Sequence, residues 1–436
     1  MKLRWFVVVL ALIAAACGGD DGTDTTVSSS ATSAITTLPQ VTTSTTTPPT
    51  TTSGGPVATT AAPATTTSLP MRPVTSHPNL PAALSGSEVP WDEVGTGWYL
   101  GLYSANMTDE PFTEGPTVLY LVDLTGRRFE VTSWDATAAP FELADWRPDG
   151  LAAAVTVYSF EDNLYEVVEV DLRTGAEQTL VVANSDDYFG GFSGPVEYTR
   201  PTGKNLVVYR NDGATETIER IDRSGATLAE VASKPYGDWD AALSWLYGYD
   251  GTEIIVGGDS LTRVGIDGTI LNEMWSPPGE RCVPVRWWDS ELVLAQCHGD
   301  VPSLPHEYYS VLWTIPRAGG IGEAIIEVPA GDIANVYFGY SDAIPWSDPL
   351  FLEAGGDCSA GWVEFRGDDG LGYRLPGPEW EHGLLAVLPD GLVLNTWRDC
   401  DRSRGELILT DRDGNRVEDL IPLIGNGSGV VDVAAL

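Results

Sequence analysis

Seven glycine turns at nearly even intervals constrain this chain more than any other feature. Each closes a short β-rich run: LYLVDLTGRRFEV (119–131), YEVVEVDLRTGAEQTLVV (165–182), TIERIDRSGATLAEV (217–231), LTRVGIDGTILNEM (261–274), LWTIPRAGGIGEAIIEV (312–328), WVEFRGDDGLGYRL (362–375) and ELILTDRDGNRVEDL (406–420). The turn glycines are Gly126, Gly175, Gly225, Gly268, Gly319, Gly370 and Gly414, in steps of 49, 50, 43, 51, 51 and 44 residues. Glycine and aspartate suit these positions because tight hairpin loops need positive φ or an Asx-type side-chain bond. A second unit recurs between the hairpins: WRPDGLAAAVTVY (146–158), TRPTGKNLVVYR (199–210), GYDGTEIIVGG (248–258), WWDSELVLAQC (287–297), PWSDPLFLEA (345–354) and LPDGLVLNTW (388–397). Each is a tight turn feeding an apolar strand.

Two hairpins per period make four strands, the content of one β-propeller blade. No long stretch has helical periodicity, and no βα alternation occurs. The chain is therefore expected to be all-β, with a single propeller of seven four-stranded blades over residues 89–436. The last repeat ends at GVVDVAAL with no fourth strand left, while PWDEVGTGWYLGLYS (90–104) is surplus at the other end. The expectation is that the amino-terminal strand closes the ring by completing the carboxy-terminal blade.

Trp146-Arg147-Pro148-Asp149-Gly150, and more weakly Pro389-Asp390-Gly391, resemble the W-x-P-D-G signature of TolB-like propellers. The segment 90–104 resembles the opening strand of TolB-like lipoproteins of actinobacteria. The resemblance covers residues 90–436 and implies a cell-envelope propeller that displays loops to a partner. Its motifs specify a fold and leave function open.

The first residues are consistent with export. Lys2 and Arg4 precede an apolar run, Trp5–Ala16, of twelve residues. A membrane span needs roughly 20, so the run reads as a signal peptide over residues 1–16. Ala14-Ala15-Ala16-Cys17 resembles the lipobox of bacterial lipoproteins, with Ala at the position usually held by Leu. That implies cleavage before Cys17 and a lipid thioether on its sulfur, anchoring the chain to the outer face of the cell membrane. Residues 17–88 are mostly Thr, Ser, Pro, Ala and Gly, too poor in large apolar residues to form a core. They read as a disordered stalk.

Fourteen of the fifteen tryptophans lie beyond the stalk, and 62 acidic residues face 24 basic ones, a net charge of −38. Such a field repels nucleic acid. Apart from Cys17 there are four cysteines, an even number in an exported chain, which predicts two disulfides. Cys282 and Cys297 sit opposite one another if CVPVRWWDSELVLAQC is a hairpin turning at Asp289-Ser290. Cys358 and Cys400 are then left to pair. A zinc site built from all four lacks any C-x-x-C spacing.

No enzyme is expected. Ser193 in GGFSGP and Ser428 in NGSGV fail the nucleophile-elbow spacing G-x-S-x-G. His298 and His306, with Asp300 and Glu307, occupy a loop with the types but not the pattern of a metal site. His77 lies in the stalk, His382 reads as a surface residue, and Asp411-Arg412-Asp413-Gly414-Asn415 lacks the Glu that ends a calcium loop. In YGDWDAALSWLYGY, Tyr236, Trp239, Trp245, Tyr247 and Tyr249 read first as core residues between blades and second as stacking surfaces. No cofactor and no metal are expected. The expected function is a non-catalytic binding or scaffold module, monomeric, for a protein or glycan partner. The alternative is an extracellular polysaccharide hydrolase or lyase using a carboxylate pair in the central funnel.

Overall fold

The computed structural model describes residues 74–105, 115–135, 140–159, 164–184, 196–211, 214–235, 243–248, 250–258, 260–300, 308–326, 340–345, 347, 350–354, 361–365, 372–374, 381–397, 405–424 and 428–435. Cys17, the signal peptide and nearly all of the expected stalk lie outside them, as do Cys358, Cys400, Ser193, His306 and Gly370.

The described chain opens with β1 (Leu84–Ser85) and a 3-10 turn, Gly86–Glu88. A meander follows: β2 (Trp98–Ser104), β3 (Thr117–Asp123) and β4 (Arg128–Trp134). Next come β5 (Pro140–Trp146), β6 (Ala152–Ser159), β7 (Leu164–Asp171) and β8 (Glu177–Asn184), one four-stranded antiparallel sheet. The same unit recurs as β9 (Val196–Tyr198), β10 (Leu206–Asn211), β11 (Thr215–Ile221) and β12 (Thr227–Pro235). It recurs again as β13 (Trp245–Tyr247), β14 (Glu253–Val256), β15 (Thr262–Gly265) and β16 (Ile270–Glu273). A further copy is β17 (Arg281–Trp287), β18 (Leu292–Asp300), β19 (Tyr308–Pro316) and β20 (Glu323–Ile326). Another is β21 (Tyr340–Ile344), β22 (Leu350–Ala354), β23 (Gly361–Phe365) and β24 (Gly372–Arg374). The chain finishes with β25 (Glu381–Leu388), β26 (Gly391–Trp397), β27 (Gly405–Asp411), β28 (Arg416–Ile421) and β29 (Gly429–Ala435). This succession of meandering four-stranded sheets is a β-propeller.

Burial follows position within each sheet. β2 and β3 are buried along their whole length. A middle strand is covered by the neighbouring sheet on both faces, so it reads as a continuous apolar run rather than an alternating one. The fourth strand of each unit is the outer edge. β12 and β16 are mostly exposed there, and β12 turns only Val231 fully inward.

The turn glycines do more than form hairpins. Gly126, Gly175, Gly225, Gly268, Gly319 and Gly414 all have positive φ and all join a third strand to a fourth. Four of them also lie against the outer strand of the preceding sheet. A Cβ on Gly175 would sit 3.2 Å from the Val131 carbonyl oxygen in β4, and one on Gly225 3.4 Å from that of Leu180 in β8. A Cβ on Gly268 would overlap the carbonyl oxygen of Glu230 in β12.

Gly126 obeys the same rule, and its neighbour is Glu418 of β28. The last sheet therefore precedes the first, and the ring closes. Arg128 on β4 reinforces this contact, donating from Nη1 to the carbonyls of Asp419 (2.7 Å) and Leu420 (2.8 Å). Closure runs opposite to expectation. β25–β28 form a complete sheet without help, and the carboxy-terminal strand β29 pairs antiparallel with β2, completing the amino-terminal sheet. GVVDVAAL looks like the remnant of a last repeat only because its partner lies more than 300 residues away in sequence.

Packing also starts ahead of residue 89. Leu80, Ala83 and Leu84 are buried, and β1 pairs in parallel with β4. A two-residue parallel pairing leaves no periodic signal, so composition alone assigns this segment to the stalk.

Cys282 and Cys297 face each other across β17 and β18 and form the expected disulfide, with Cα atoms 4.0 Å apart. The bridge closes a segment of sequence separation 15, for which chain-entropy arguments give about 3 kcal/mol. Cys282→Ser is expected to lower stability by about 2–3 kcal/mol in chemical denaturation. Unchanged stability would mean that the pairing adds nothing to an already rigid hairpin.

Candidate functional site

The signature residues have structural work. In the β5–β6 turn, Asp149 Oδ1 accepts from the Leu151 amide (2.9 Å) and from Arg147 Nε (2.8 Å). Burial pushes the Asp149 carboxyl up, but Arg147 and the Leu151 amide outweigh it and hold it below the usual range. Gly150 has positive φ, and Trp146 is buried. The side chains of Arg147 and Pro148 form the seat against which the next turn's glycine, Gly203, is pressed. Gly251, one sheet further on, lies in turn against the backbone of Arg200. Turn glycines thus stack on the preceding sheet's arginine-proline turn.

Pro389 and Asp390 are exposed in the β25–β26 turn, and a Cβ on Gly391 would overlap the Thr410 carbonyl oxygen in β27. Asp411 behaves as an Asx turn, accepting from the amides of Asp413 (2.9 Å) and Asn415 (2.8 Å). Hydrogen bonds from Asn415 and Asp413 keep its carboxyl below the ordinary range.

The remaining candidates are similarly placed. Ser428 is buried and takes a hydrogen bond from Tyr103 (3.2 Å). His298 is half-buried, and burial holds it below its ordinary pKa. His77 accepts through Nδ1 from the Asn79 amide (3.3 Å). Trp245 and Tyr247 belong to the core between sheets, as read; Tyr236, Trp239 and Tyr249 lie outside the described residues. Among the described residues no group of three His, Cys, Asp or Glu side chains is arranged to hold a metal ion.

The distinctive chemistry sits on the first strand of successive sheets, where the sequence offered no motif. On β29, Asp432 Oδ2 accepts from the Leu143 amide of β5 (3.0 Å). On β5, Asp145 Oδ2 accepts from the Tyr198 amide of β9 (2.7 Å), while its Oδ1 takes Arg200 Nη2 (2.8 Å) and the Trp146 amide (2.8 Å). These two aspartates tie one sheet to the next. Farther round, Asp342 of β21 accepts from Arg286 Nε of β17 (2.7 Å) and from its own neighbour Ala343 (2.7 Å). Burial raises the carboxyl pKa of all three. Arg200 opposes the rise at Asp145, Arg286 opposes it at Asp342, and the Leu143 and Val433 amides oppose it at Asp432.

Two glutamates stand beside these ties. A bulge between Leu143 and Asp145 sets Glu142 opposite Thr156 and Asp145 opposite Ala154, so both carboxylates take the same face of β5. Burial, then the charge of Asp432, pushes Glu142 up to about 7. Burial, then the charge of Asp145, does the same to Glu197, also to about 7, against the pull of Arg200. Both remain half-buried rather than sealed.

A folded carboxyl near 7 against a reference of 4.5 retains a proton that the unfolded chain has lost. Stability therefore falls as pH rises from about 4.5 to about 7. Glu142→Gln carries no charge to ionise. It is expected to match the wild type at pH 4 and to exceed it by about 1–2 kcal/mol at pH 8, after allowance for solvent screening. Equal stability of the two proteins at pH 8 would show that Glu142 ionises without cost.

No family model and no curated protein matches this chain. Among solved structures it is similar to the β-propeller domain of the trilobed protease from Pyrococcus furiosus (14% identity, 74% of this chain and 96% of that one, TM-score 0.45). It is also similar to a prolyl endopeptidase (13%, 77% of this chain and 50% of that one, TM-score 0.50) and to TolB from Acinetobacter baumannii (14%, 77% and 67%, TM-score 0.37). At such identities the likeness concerns the fold alone.

Proposed function

We propose that this chain is an exported lipoprotein, anchored through Cys17 and raised on a Thr/Ser/Pro stalk, whose propeller is a non-catalytic binding module for a protein or glycan partner at the cell envelope. The observation that carries the reading is the use of the first-strand aspartates. Asp432 and Asp145 each accept from a backbone amide of the following sheet, a framework role that leaves the glutamates beside them, the loops and the rim to contact a partner. Seven blades fit the pairing. The nine-stranded sheet formed where the chain ends meet parts at a single bridge, Gly405 to Val430, into β29-β2-β3-β4, with the short β1 added at its edge, and β25–β28. These stand beside five separate four-stranded sheets. The acidic field argues against nucleic acid as partner, and a monomer suffices for a ring that closes on itself.

Two measurements test the proposal. Expressed in a bacterium that processes lipoproteins, the wild type should sediment with membranes and Cys17→Ala should not; equal partitioning removes the anchor. Purified protein incubated with envelope polysaccharides and peptides should retain a ligand without releasing new reducing ends, unsaturated sugars or free amines. Turnover that disappears in Glu142→Gln would instead make the site catalytic.

A further inference from the structure

Four carboxylates line three consecutive first strands: Asp432 on β29, Glu142 and Asp145 on β5, and Glu197 on β9. The hydrogen bonds from Leu143 to Asp432 and from Tyr198 to Asp145 fix their adjacency, since Glu142 and Glu197 are the immediate chain neighbours of those two donors. Arg200 forms an ion pair with Asp145. Asp432, Glu142 and Glu197 have no ion pair among the described residues. A carboxylate shielded from much of its solvent and without a counter-charge is unfavourable, and three of them within one sector of the ring leave a concentrated negative field.

A separate observation points into the same place. Tyr247 of β13 is only 8% exposed, and its hydroxyl is a buried atom with no hydrogen-bond partner. The charged groups acting on that hydroxyl are Glu197, Arg200, Asp145 and Arg220. A phenol oxygen can accept from an N–H donor as readily as it donates. An unpaired acceptor beside Glu197, a carboxylate with no ion pair among the described residues, is complementary to a ligand rich in N–H groups and positive charge.

We infer that the first strands β29, β5 and β9, together with Tyr247, form a subsite for the ammonium or guanidinium end of a lysine or arginine side chain presented by a peptide partner. The chemistry favours an organic cation over a metal ion, because the carboxylates are strung along three strands rather than gathered round a point. A chain-borne cation with three to five donors can reach several of them. The protein's net charge of −38 steers such a ligand inward. Glu142, facing Asp432 and Thr156, and Glu197, facing Asp145, Arg200 and Trp245, hold protons near neutrality. An arriving cation favours their ionised forms, so binding expels protons.

The inference rests on the binding-module reading and adds the ligand chemistry. A protein that retains an envelope partner yet ignores every cationic probe loses this inference and keeps that reading. The test is calorimetric titration at pH 7 and about 0.15 M salt with end-blocked Gly-Lys-Gly, Gly-Arg-Gly and Gly-norleucine-Gly, in two buffers of different ionisation heat. The lysine and arginine peptides should bind one-to-one with a buffer-dependent heat that reports proton release, and the norleucine peptide should not bind. Glu142→Gln and Glu197→Gln should each weaken binding about tenfold. Tyr247→Phe, which removes only an oxygen that the protein leaves unpaired, should weaken it severalfold. Glu273→Gln on the exposed edge of β16 should leave it unchanged. Equal binding by the inner-strand and Glu273 variants would reduce the effect to diffuse charge and overturn the inference, as would absence of heat or absence of proton release in the wild type.

Discussion

Removing the last strand is expected to unfold the whole propeller. A chain ending at residue 428 lacks β29, which pairs with β2 from Tyr99–Ala435 to Ser104–Gly429. It also loses Val430, fully buried, and the Asp432 tie to β5. β2 is buried along its entire length, so one flank of an apolar middle strand becomes an open edge with unpaired backbone groups. The combined loss of ladder hydrogen bonds, burial and tie is on the order of 5 kcal/mol or more, comparable with the net stability of a domain. The truncated chain should show no cooperative thermal transition, or one lowered by more than about 10 °C. A synthetic peptide of residues 429–436 should restore it. A truncated protein that melts like the full chain would place ring closure elsewhere.

Gly251→Ala should be the most damaging single methyl addition among the turns. Gly251 has φ 68°, where an L-residue costs about 1 kcal/mol. Its Cβ would also overlap the Arg200 carbonyl oxygen, and backbone yields less easily than the end of a side chain. The two effects together predict about 3 kcal/mol and a fall in Tm of roughly 5–10 °C. Gly319→Ala separates them, because Gly319 has φ 95° with no atom within 4 Å of its would-be Cβ. It should cost about 1 kcal/mol. Equal losses at the two positions would mean that the stacking of Gly251 on the Arg200 turn contributes nothing. The substitution has a second consequence, since Arg200 is the cation paired with Asp145. A displaced Arg200 backbone should also change affinity for a cationic ligand.

Much of the fold was legible because the repeat writes itself in turns. Glycine with aspartate near it marks a hairpin wherever it occurs, and every described turn glycine of the seven joins a third strand to a fourth. What the spacing concealed was the second reason for those glycines, the approach of the preceding sheet's backbone, which depends on contacts between residues about 40 apart. Closure was misread for a related cause: strand pairing across the full chain length has no local signature. Bulges in the outer strands β4, β8, β12, β16, β20 and β28, each against the third strand of its sheet, were equally invisible.

The candidate site was the least legible part. Its carboxylates are four among 62 acidic residues; of the strands that carry them, β9 spans only three residues, and β5 and β29 are broken by bulges that destroy alternation. One signal was present: in Asp145-Trp146 and Glu197-Tyr198 an acidic residue directly precedes a buried aromatic ahead of an arginine-proline turn. Repetition of that pair in adjacent periods marks the residues that face the neighbouring sheet.

The central claim is that the two ends of the propeller share one sheet. Hydrogen exchange followed by mass spectrometry on the full chain tests it most directly, comparing peptides that cover 98–104 and 429–435. The closed ring predicts strong protection of both, lost together in a single event as denaturant is raised. Rapid exchange in 429–435 while 98–104 stays protected would make the last strand a free tail and contradict the account.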